Sequence, residues 1–254
     1  MKQFAFAIIR HFLKFITKGE ITGKKYSGIN KTLYYEKAQH LNFLFQKTIK
    51  YEENIQQKLP KYIYPGNIVF DIGGNIGQYA IPFSELVGQN GQVFSFEPDY
   101  KNFSFLQFNM NINQCINVSC INCGVGNEDS ELDFFRDTET GGRMGSFKKQ
   151  FVGNNFKGFS TKVSLMKFDT LIKSFGNPNF VKIDVEGFEY EVISGLTIDL
   201  PETTFLIEVR EETKESVFDF FNKKDYKCLW VDGPDRLITH SSEIPGFANL
   251  IFNK

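Results

Sequence analysis

The stretch Asn67-Ile-Val-Phe-Asp71-Ile-Gly73-Gly74-Asn75-Ile-Gly77 is typical of a buried strand that runs into a glycine-rich turn and then into a helix. Its Val and Phe residues favour a strand covered on both faces, and its glycines allow a tight turn and a close approach to a ligand. The turn lacks the complete Gly-x-Gly-x-x-Gly pattern of dinucleotide-binding folds. We therefore expect a ligand-binding loop that consists of Asp71, Gly73, Gly74, Asn75 and Gly77.

A second apolar strand, Gln92-Val-Phe-Ser-Phe-Glu97-Pro98, ends in a carboxylate about 20 residues further along the chain. A carboxylate at that position can accept hydrogen bonds from both hydroxyls of a ribose. Together, the glycine turn and Glu97 indicate a cofactor that contains adenosine. We expect its adenine to lie near the end of the third strand, at Gly124-Val125-Gly126-Asn127.

A third block, Phe180-Val-Lys182-Ile-Asp184-Val-Glu186-Gly187-Phe-Glu189, is a strand that ends in charged residues. With the glycine turn, Phe96-Glu-Pro98 and Phe205-Leu-Ile-Glu208, it resembles the FkbM-type methyltransferase family over roughly residues 51–254. The resemblance implies a class I methyltransferase fold, S-adenosylmethionine as the methyl donor and usually a hydroxyl group as the acceptor. Members of that family act on diverse natural products and glycans, so the resemblance does not specify the acceptor.

Strands and helices alternate from residue 60 onward, which predicts an α/β fold with a Rossmann-like, doubly wound sheet that is mostly parallel. Seven strands are predicted, at residues 67–72, 92–97, 117–122, 180–184, 204–209, 226–231 and 247–253. Helices are predicted near residues 77–87, 99–111, 169–175, 187–196 and 213–224. Two further short strands, at residues 131–135 and 162–166, flank an inserted loop.

The chain is divided at residue 59 into a helical N-terminal extension, residues 1–59, and a methyltransferase domain, residues 60–254. One helix is predicted over residues 1–18. A second is predicted over residues 32–59, because apolar side chains form a stripe at helical spacing. Pro60 and Pro65 end this helix before the first strand of the sheet.

Candidate catalytic residues lie at the ends of two neighbouring strands. Lys182 and Asp184 alternate along one strand and share a face, and Glu208 on the next strand is expected beside Asp184. Asp184 is the first candidate for the base that removes the acceptor proton, followed by Glu208 and then His240. Lys182 either pairs with these carboxylates or acts near the acceptor hydroxyl. Asp71 either braces the glycine loop or contacts the ammonium group of the cofactor.

The same carboxylates suggest an alternative mechanism. Asp184 and Glu208 together could bind Mg²⁺ through oxygen ligands, and the metal would lower the pKa of the acceptor hydroxyl. The charge of Lys182 counts against this alternative because it can already neutralise the two acids. We therefore favour a site without a metal and assign no metal ligand.

Composition limits the partners and the cellular location. The formal net charge of −1 argues against a broad basic surface for nucleic acid. Four cysteines and no recognisable secretory signal favour a cytoplasmic protein with reduced thiols. Residues 1–16 are compatible with an amphipathic helix on a membrane surface, although docking on the chain itself or on a second subunit of a homodimer is favoured.

Two other functional classes stay open from the sequence alone. A nicotinamide-dependent (NAD) oxidoreductase would share the strand, the turn and the ribose-binding acid, and a non-catalytic scaffold would keep the fold without the reaction. The glycine-rich loop from Thr138 to Lys157, which contains Arg143, is predicted to be either a lid over the cleft or a disordered insertion at the surface.

Overall fold

The computed structural model describes residues 13–136, 145–152 and 160–254. The described strands are β1 (Ile21–Lys25), β2 (Thr32–Glu36), β3 (Ile68–Ile72), β4 (Gln92–Phe96), β5 (Val118–Ile121), β6 (Gly124–Gly126), β7 (Ser130–Phe135), β8 (Ser160–Lys167), β9 (Phe180–Ile183), β10 (Thr204–Arg210), β11 (Lys227–Trp230), β12 (Arg236–Ile238) and β13 (Phe247–Asn253). The helices used below are α1 (Leu41–Leu44), α2 (Glu53–Gln56), α3 (Ala80–Val87), α4 (Tyr100–Ile112), α5 (Lys149–Val152), α6 (Phe168–Phe175), α7 (Glu189–Ser194) and α8 (Lys214–Asn222).

The central sheet has the strand order β12-β11-β13-β10-β9-β3-β4-β5. Strands β10, β9, β3, β4 and β5 run parallel to one another, whereas β13 pairs antiparallel with both β10 and β11. From β3 the chain moves outward to β4 and β5, and it then returns to place β9 on the other side of β3. The sheet therefore has a topological switch point between β3 and β9, where ligands bind in folds of this type.

Both faces of the sheet are covered, which confirms the doubly wound architecture. Successive strand residues such as Val69 and Phe70 point to opposite faces of the sheet, and both are fully buried. On one face, Phe83 of α3 packs in a cluster with Val69, and residues 55–63 contribute to the same cluster. On the other face, α6, α7 and α8 pack against Phe70 and its neighbours.

All seven predicted sheet strands are present, and the five predicted helices of the domain correspond to α3, α4, α6, α7 and α8. The sheet has eight strands rather than seven because β12 adds to its edge by pairing with β11. The two extra strands are also present: β7 and β8 pair antiparallel, and β6 joins them in a separate three-stranded sheet.

The predicted helix over residues 32–59 is wrong. Strands β1 and β2 form an antiparallel hairpin, and only the short helices α1 and α2 and a 3-10 turn at Leu59–Lys61 follow it. The sequence Thr32-Leu-Tyr-Tyr35 is rich in β-branched and aromatic residues, which favour a strand. Leu33 and Tyr35 are both fully buried, a spacing of two that fits a strand, whereas Phe45 of the supposed apolar stripe is 80% exposed.

The predicted helix over residues 1–18 lies mostly outside the described residues. Residues 13–16 are helical, and β1 lies between the two segments that were predicted to be helices. Among the described residues, no helix is long and apolar enough to cross a membrane.

The hairpin is attached to the rest of the chain by two asparagines of the α4 region. Asn113 accepts a hydrogen bond from the Thr32 amide at 2.8 Å and donates one to the Thr32 carbonyl at 2.7 Å. One turn earlier, the fully buried Asn109 makes the same pair of bonds with the backbone of Tyr34, at 2.8 and 2.9 Å. The two side-chain amides thus pair with β2 in the way that a neighbouring strand would.

Each asparagine makes one further bond: Asn113 donates to the Asn109 carbonyl at 2.8 Å, whereas Asn109 bonds to the glycine loop. Its amide donates to the carbonyl of Ile76 at 2.8 Å, inside the glycine loop. The hairpin is also tied to this region by the buried Tyr26 hydroxyl, which donates to the Gln78 carbonyl at 3.1 Å. The N-terminal extension is therefore bonded directly to the loop that was predicted to bind a ligand.

We expect Asn109→Ala to destabilise the protein much more than Asn113→Ala. Each variant leaves two backbone groups of a partly buried residue without a partner, those of Tyr34 in the first and of Thr32 in the second. The first variant also leaves the carbonyl of the fully buried Ile76 without this partner, at roughly 1–3 kcal/mol. Urea denaturation of both variants measures the difference in the free energy of unfolding, and equal losses would contradict this account of the hairpin.

Candidate active site

A cavity of about 300 Å³ lies at the carboxyl ends of β3, β4, β9 and β10, beside the switch point. Nearly all of the candidate residues line it, namely Asp71, Gly73, Gly74, Asn75, Glu97, Val125, Lys182, Asp184 and Glu208. Gly77 is the exception. The structure therefore brings the predicted cofactor-binding and catalytic residues together around one space, while the role of each stays a prediction.

The glycine turn passes close to its neighbours because two of its residues lack a side chain. Gly73 has a φ of +87°, and a Cβ atom there would lie 1.9 Å from the carbonyl oxygen of Asp184. A Cβ atom on Gly74 would lie 2.0 Å from the Ser95 hydroxyl. Both amides donate to the Phe96 carbonyl at 2.9 Å, which holds the turn against the end of β4.

Gly77 has a structural role in this arrangement. Its φ is +98°, and a Cβ atom there would lie 2.8 Å from the methyl group of Met110 on α4. Asn75 also has a positive φ, of 48°, and its buried side-chain oxygen has no hydrogen-bond partner among the described residues. An unpaired buried oxygen at the edge of a cavity is available to a ligand donor.

Glu97 is buried at the end of β4, with 5% of its surface exposed. One carboxylate oxygen accepts a hydrogen bond from the Asn75 amide at 2.7 Å, and the other accepts one from the Asp99 amide at 2.8 Å. These bonds fix the carboxylate at the mouth of the glycine loop. Burial, reinforced by the charge of Asp99, nevertheless raises the pKa of Glu97 to about 8.

Val125 of β6 lines the cavity on the side of Glu97, together with Cys123, Phe134 and Phe147. These side chains form an apolar wall, as an aromatic base requires. Phe134 and Phe147 contact each other with ring centroids 5.1 Å apart. The expected position for adenine thus has an apolar surface beside the carboxylate that would hold the ribose.

Asp71 is fully buried at the end of β3 and opposes Lys182 in the sheet register. One of its oxygens accepts a hydrogen bond from the Ser95 hydroxyl at 2.8 Å, and the other has no partner among the described residues. Burial raises its pKa, and the charge of Lys182 opposes that rise. Asp71 therefore braces β4 with one oxygen and keeps a second oxygen for a cationic or hydrogen-bonding ligand.

Lys182 is 4% exposed, and its ammonium group lies 3.0 Å from a carboxylate oxygen of Asp184. The ammonium also lies 4.6 Å above the centre of the Tyr79 ring. Burial disfavours its charge, but the carboxylates of Asp184, Asp71 and Glu52 outweigh this effect and raise the pKa. Both alternatives considered for Lys182 remain open, since the ion pair itself lies on the cavity wall.

Glu208 lies beside Asp184, as expected from the strand order. Three carboxylate oxygens, one from each of Asp184, Glu186 and Glu208, lie within 4.8 Å of one another. Burial and the charge of Asp184 raise the pKa of Glu208 to about 10 and that of Glu186 to about 8. Arg210 pairs with Glu186 and lies 3.5 Å from Glu208, so its charge partly offsets the crowding.

The spacing of these three carboxylates is relevant to the alternative mechanism, in which the site binds Mg²⁺. Three carboxylates at this spacing have the ligand chemistry that Mg²⁺ prefers. Each of them also contacts a cationic side chain, since Lys182 pairs with Asp184 and Arg210 contacts the other two. Two cations already neutralise part of the charge of the cluster, so a metal-free site stays the preferred prediction.

The residues that line the cavity and that the sequence argument missed include Tyr51, Glu52, Tyr79 and Arg210. Arg210 follows Glu208 by two positions on the same strand, so alternation could have found it. Tyr51 and Glu52 were assigned to the interior of a long helix. The hydroxyl of Tyr79 donates to Glu52 at 2.5 Å, which joins this segment to the wall that carries Lys182.

Two other predictions have a different outcome. His240 is exposed and does not line the cavity, so its assignment as a third candidate base is wrong; it precedes a 3-10 turn in the loop after β12. Most of the predicted lid, including Arg143, lies outside the described residues. Within the lid, Gly145 and Phe147 line the cavity, and Ser146 donates to the Glu186 carbonyl at 2.8 Å.

Comparison with known proteins agrees with the family resemblance seen in the sequence. Residues 71–232 match the family model described as the methyltransferase FkbM domain. The hexuronic acid methyltransferase AglP of Haloferax volcanii is 26% identical over 163 residues, which is 63% of each protein. Methyltransferase 1 of Beauveria bassiana is 26% identical over 157 residues, which is 51% of this chain and 58% of that protein.

The chain thus spans less than two thirds of the length of these curated relatives. Among solved structures, an FkbM methyltransferase from Methylobacillus flagellatus is similar with a TM-score of 0.48 and 16% identity, over 78% of this chain and 50% of that one. The family match covers the glycine loop, Glu97, Asp184 and Glu208 within a doubly wound sheet. This chain belongs to the FkbM methyltransferase family.

Proposed function

We propose that this chain transfers a methyl group from S-adenosylmethionine to a hydroxyl group of a small molecule or glycan. The observation that carries the proposal is that the glycine loop, Glu97 and the Lys182–Asp184 pair all face one cavity at the switch point. The cofactor and the acceptor would therefore bind side by side, with the glycine loop and the candidate base both in reach. Methyl transfer and removal of the acceptor proton would then take place in the same cavity.

The residues of the cofactor half fit S-adenosylmethionine. Glu97 would accept hydrogen bonds from the ribose hydroxyls, Val125 and its apolar neighbours would contact the adenine, and the Gly73–Gly77 turn would hold the amino-acid portion. The unpaired oxygens of Asp71 and Asn75 are suited to its ammonium group or to a bridging water. When bound, the cofactor supplies a methyl group activated by a positively charged sulfur.

The acceptor half provides the proton chemistry. Asp184 is the proposed base, because its carboxylate lies on the cavity wall and is held at 3.0 Å by the Lys182 ammonium. Lys182 orients that carboxylate through this contact. Glu208 is the second candidate, but its pKa of about 10 disfavours the ionised form that a base needs at neutral pH.

A sugar is the acceptor class that we favour. The support is the relative in Haloferax volcanii, whose name specifies a hexuronic acid as the substrate. Transfer to oxygen is part of the proposal and follows from the candidate base, since a hydroxyl must lose its proton during or after attack. An NAD-dependent oxidoreductase or a scaffold with no activity is less consistent with the family match.

The remaining expectations stay predictions. We predict that the protein has no nucleic-acid partner, forms a homodimer and is located in the cytoplasm. We also predict a peripheral membrane contact through residues 1–16, of which residues 1–12 lie outside the described part.

Calorimetric titration with S-adenosylhomocysteine and, in parallel, with NAD⁺ tests the reaction class. We expect micromolar binding of S-adenosylhomocysteine and none of NAD⁺. Transfer of a tritiated methyl group from S-adenosylmethionine to sugar glycosides then tests the activity. Binding of NAD⁺ alone would contradict the proposal, and binding without transfer to any hydroxyl would favour the scaffold.

We expect Glu97→Gln to weaken the binding of S-adenosylhomocysteine by about 10- to 100-fold, because hydrogen bonds to a buried charged group are lost. Since the pKa of Glu97 is about 8, its carboxyl group is protonated below that pH. If the ionised form binds the ribose, affinity should rise with pH towards 8 and level off above it. Calorimetry between about pH 6.5 and 8.5 measures both effects.

The matched control for Glu97→Gln is Glu128→Gln. Glu128 is exposed and does not line the cavity, so this change should alter neither the affinity nor its pH dependence. Unchanged binding by Glu97→Gln would remove Glu97 from the ribose site.

We expect Asp184→Asn to keep the affinity for S-adenosylhomocysteine within about twofold but to lower kcat by about 10²- to 10⁴-fold, the usual contribution of a general base. Asp199→Asn is the control, because the side chain of Asp199 is 66% exposed, pairs with Lys254 and does not line the cavity. Methyl-transfer kinetics separate the two variants. Full turnover by Asp184→Asn would move the role of base to Glu208.

A further inference from the structure

Lys182 lies within the electrostatic influence of several carboxylates. The charges of Asp184, Asp71 and Glu52 all favour the charged form of its ammonium group. In the described part of the chain, Asp184 is the carboxylate that this ammonium reaches with a hydrogen bond, at 3.0 Å. The structure therefore contains something that directs the ammonium to the proposed base and away from its competitors.

The ring of Tyr79 lies against the Lys182 ammonium. Tyr79 directly precedes α3, is buried, and has its ring centre 4.6 Å from the ammonium nitrogen. The negative face of an aromatic ring attracts a cation, and the attraction is strongest where water is excluded. Because Lys182 is also buried, the ring holds the ammonium in a nearly dry contact.

The hydroxyl group of Tyr79 bonds to one of the competing carboxylates. It donates to Glu52 at 2.5 Å, and Tyr51 forms a second side-chain hydrogen bond with the same carboxylate. Burial, reinforced by the charge of Glu52, raises the pKa of Tyr79, so this hydroxyl stays protonated and can donate. Glu52 is thus satisfied by neutral donors in place of the Lys182 ammonium.

The contact between α3 and β9 repeats one helical turn later without a charged group. Phe83, whose amide donates to the Tyr79 carbonyl at 2.9 Å, packs against Phe180 with ring centroids 5.8 Å apart. Phe180 and Lys182 are two residues apart on β9 and share one face of the strand. The interface thus pairs a ring with a ring at Phe83 and a ring with an ammonium at Tyr79.

We infer that Tyr79 is a positioning residue, whose ring holds the Lys182 ammonium against Asp184 while its hydroxyl keeps Glu52 out of that ion pair. The inference rests on the proposed function, because it concerns how the proposed base is oriented. Tyr79 acts through Lys182, and the role requires no contact with the cofactor or the acceptor. Glu52 lies outside residues 71–232 of the family match, so the N-terminal extension contributes to the geometry of the base.

Crystal structures of two variants test the geometry without an acceptor. We expect Tyr79→Leu to separate the Lys182 ammonium from Asp184 by more than about 4 Å, the limit of an ion pair. Phe83→Leu is the matched control, because it removes a ring from the same interface that faces Phe180 and does not line the cavity. It should keep the ion pair at 3.0 Å.

Methyl-transfer kinetics test the effect on the reaction, with the 4-nitrophenyl glycosides of glucose and glucuronic acid as acceptors. We expect Tyr79→Leu to lower kcat by about tenfold or more, because a small displacement of a catalytic group is costly. The KM for the glycoside and the affinity for S-adenosylhomocysteine should stay within about twofold, since Tyr79 acts on the base alone. Phe83→Leu should keep kcat within about twofold of wild type.

Conservative variants separate the ring from its packing and cover the case in which Tyr79→Leu does not fold. Tyr79→Phe keeps the ring and leaves Tyr51 bonded to Glu52, so kcat should fall by no more than about threefold. Phenylalanines with increasing ring fluorination, introduced at position 79 by nonsense suppression, nearly keep the size but weaken the attraction for a cation. We expect kcat to fall stepwise along this series, and to stay constant when the same series replaces Phe83.

Three outcomes would overturn the inference. They are an intact ion pair between Lys182 and Asp184 in Tyr79→Leu, an equal loss of kcat in Phe83→Leu, and no trend with ring fluorination at position 79. Failure of the wild-type protein to bind S-adenosylhomocysteine or to methylate a glycoside is a different result. It contradicts the proposed function, whereas the crystal structures of the variants still decide whether Tyr79 positions Lys182.

Discussion

The close contact between the ends of β3 and β9 is the constraint on which the cavity depends. At Gly73 the backbone comes so near to Asp184 that a Cβ atom would lie 1.9 Å from its carbonyl oxygen. Only glycine combines this approach with a φ of +87°. Because of this contact, the loop proposed to hold the cofactor and the strand end that carries the proposed base lie side by side.

The second constraint is electrostatic. Asp71 and Lys182 oppose each other in the sheet register, and Lys182 also pairs with Asp184. A single buried ammonium group therefore neutralises charge on both the cofactor side and the acceptor side of the switch point. Burial and the neighbouring charges of Asp184 and Glu186 raise the pKa of Glu208 to about 10, although the charge of Lys182 opposes this rise.

Local sequence was sufficient for the domain from residue 60 onward. The glycine turn, Glu97 and the Lys182–Asp184 strand end each combine an apolar strand with a polar end, and such a pattern specifies both the strand and its functional edge. The N-terminal extension could not be predicted in this way. Its hairpin depends on the backbone of Tyr34 pairing with Asn109, a residue 75 positions away, and on a buried cluster with Ile76.

Most of the site residues that the sequence did not predict were missed for the same reason. Glu52 enters the cavity through a left-handed turn that no short-range pattern in its sequence predicts, and Tyr79 gains its role only by donating to that residue. Arg210 differs, because its position two residues after Glu208 on one strand face was visible in the sequence. Contacts between distant segments, rather than motifs, thus complete the acceptor half of the site.

The most direct test of the central claim is a crystal structure of the complex with S-adenosylhomocysteine. Ribose hydroxyls within hydrogen-bond distance of Glu97, with the amino-acid portion along the Gly73–Gly77 turn and the sulfur facing Asp184, are the predicted result. A ligand bound elsewhere, or bound in this cavity with its ribose away from Glu97, would contradict the assignment of the cofactor site.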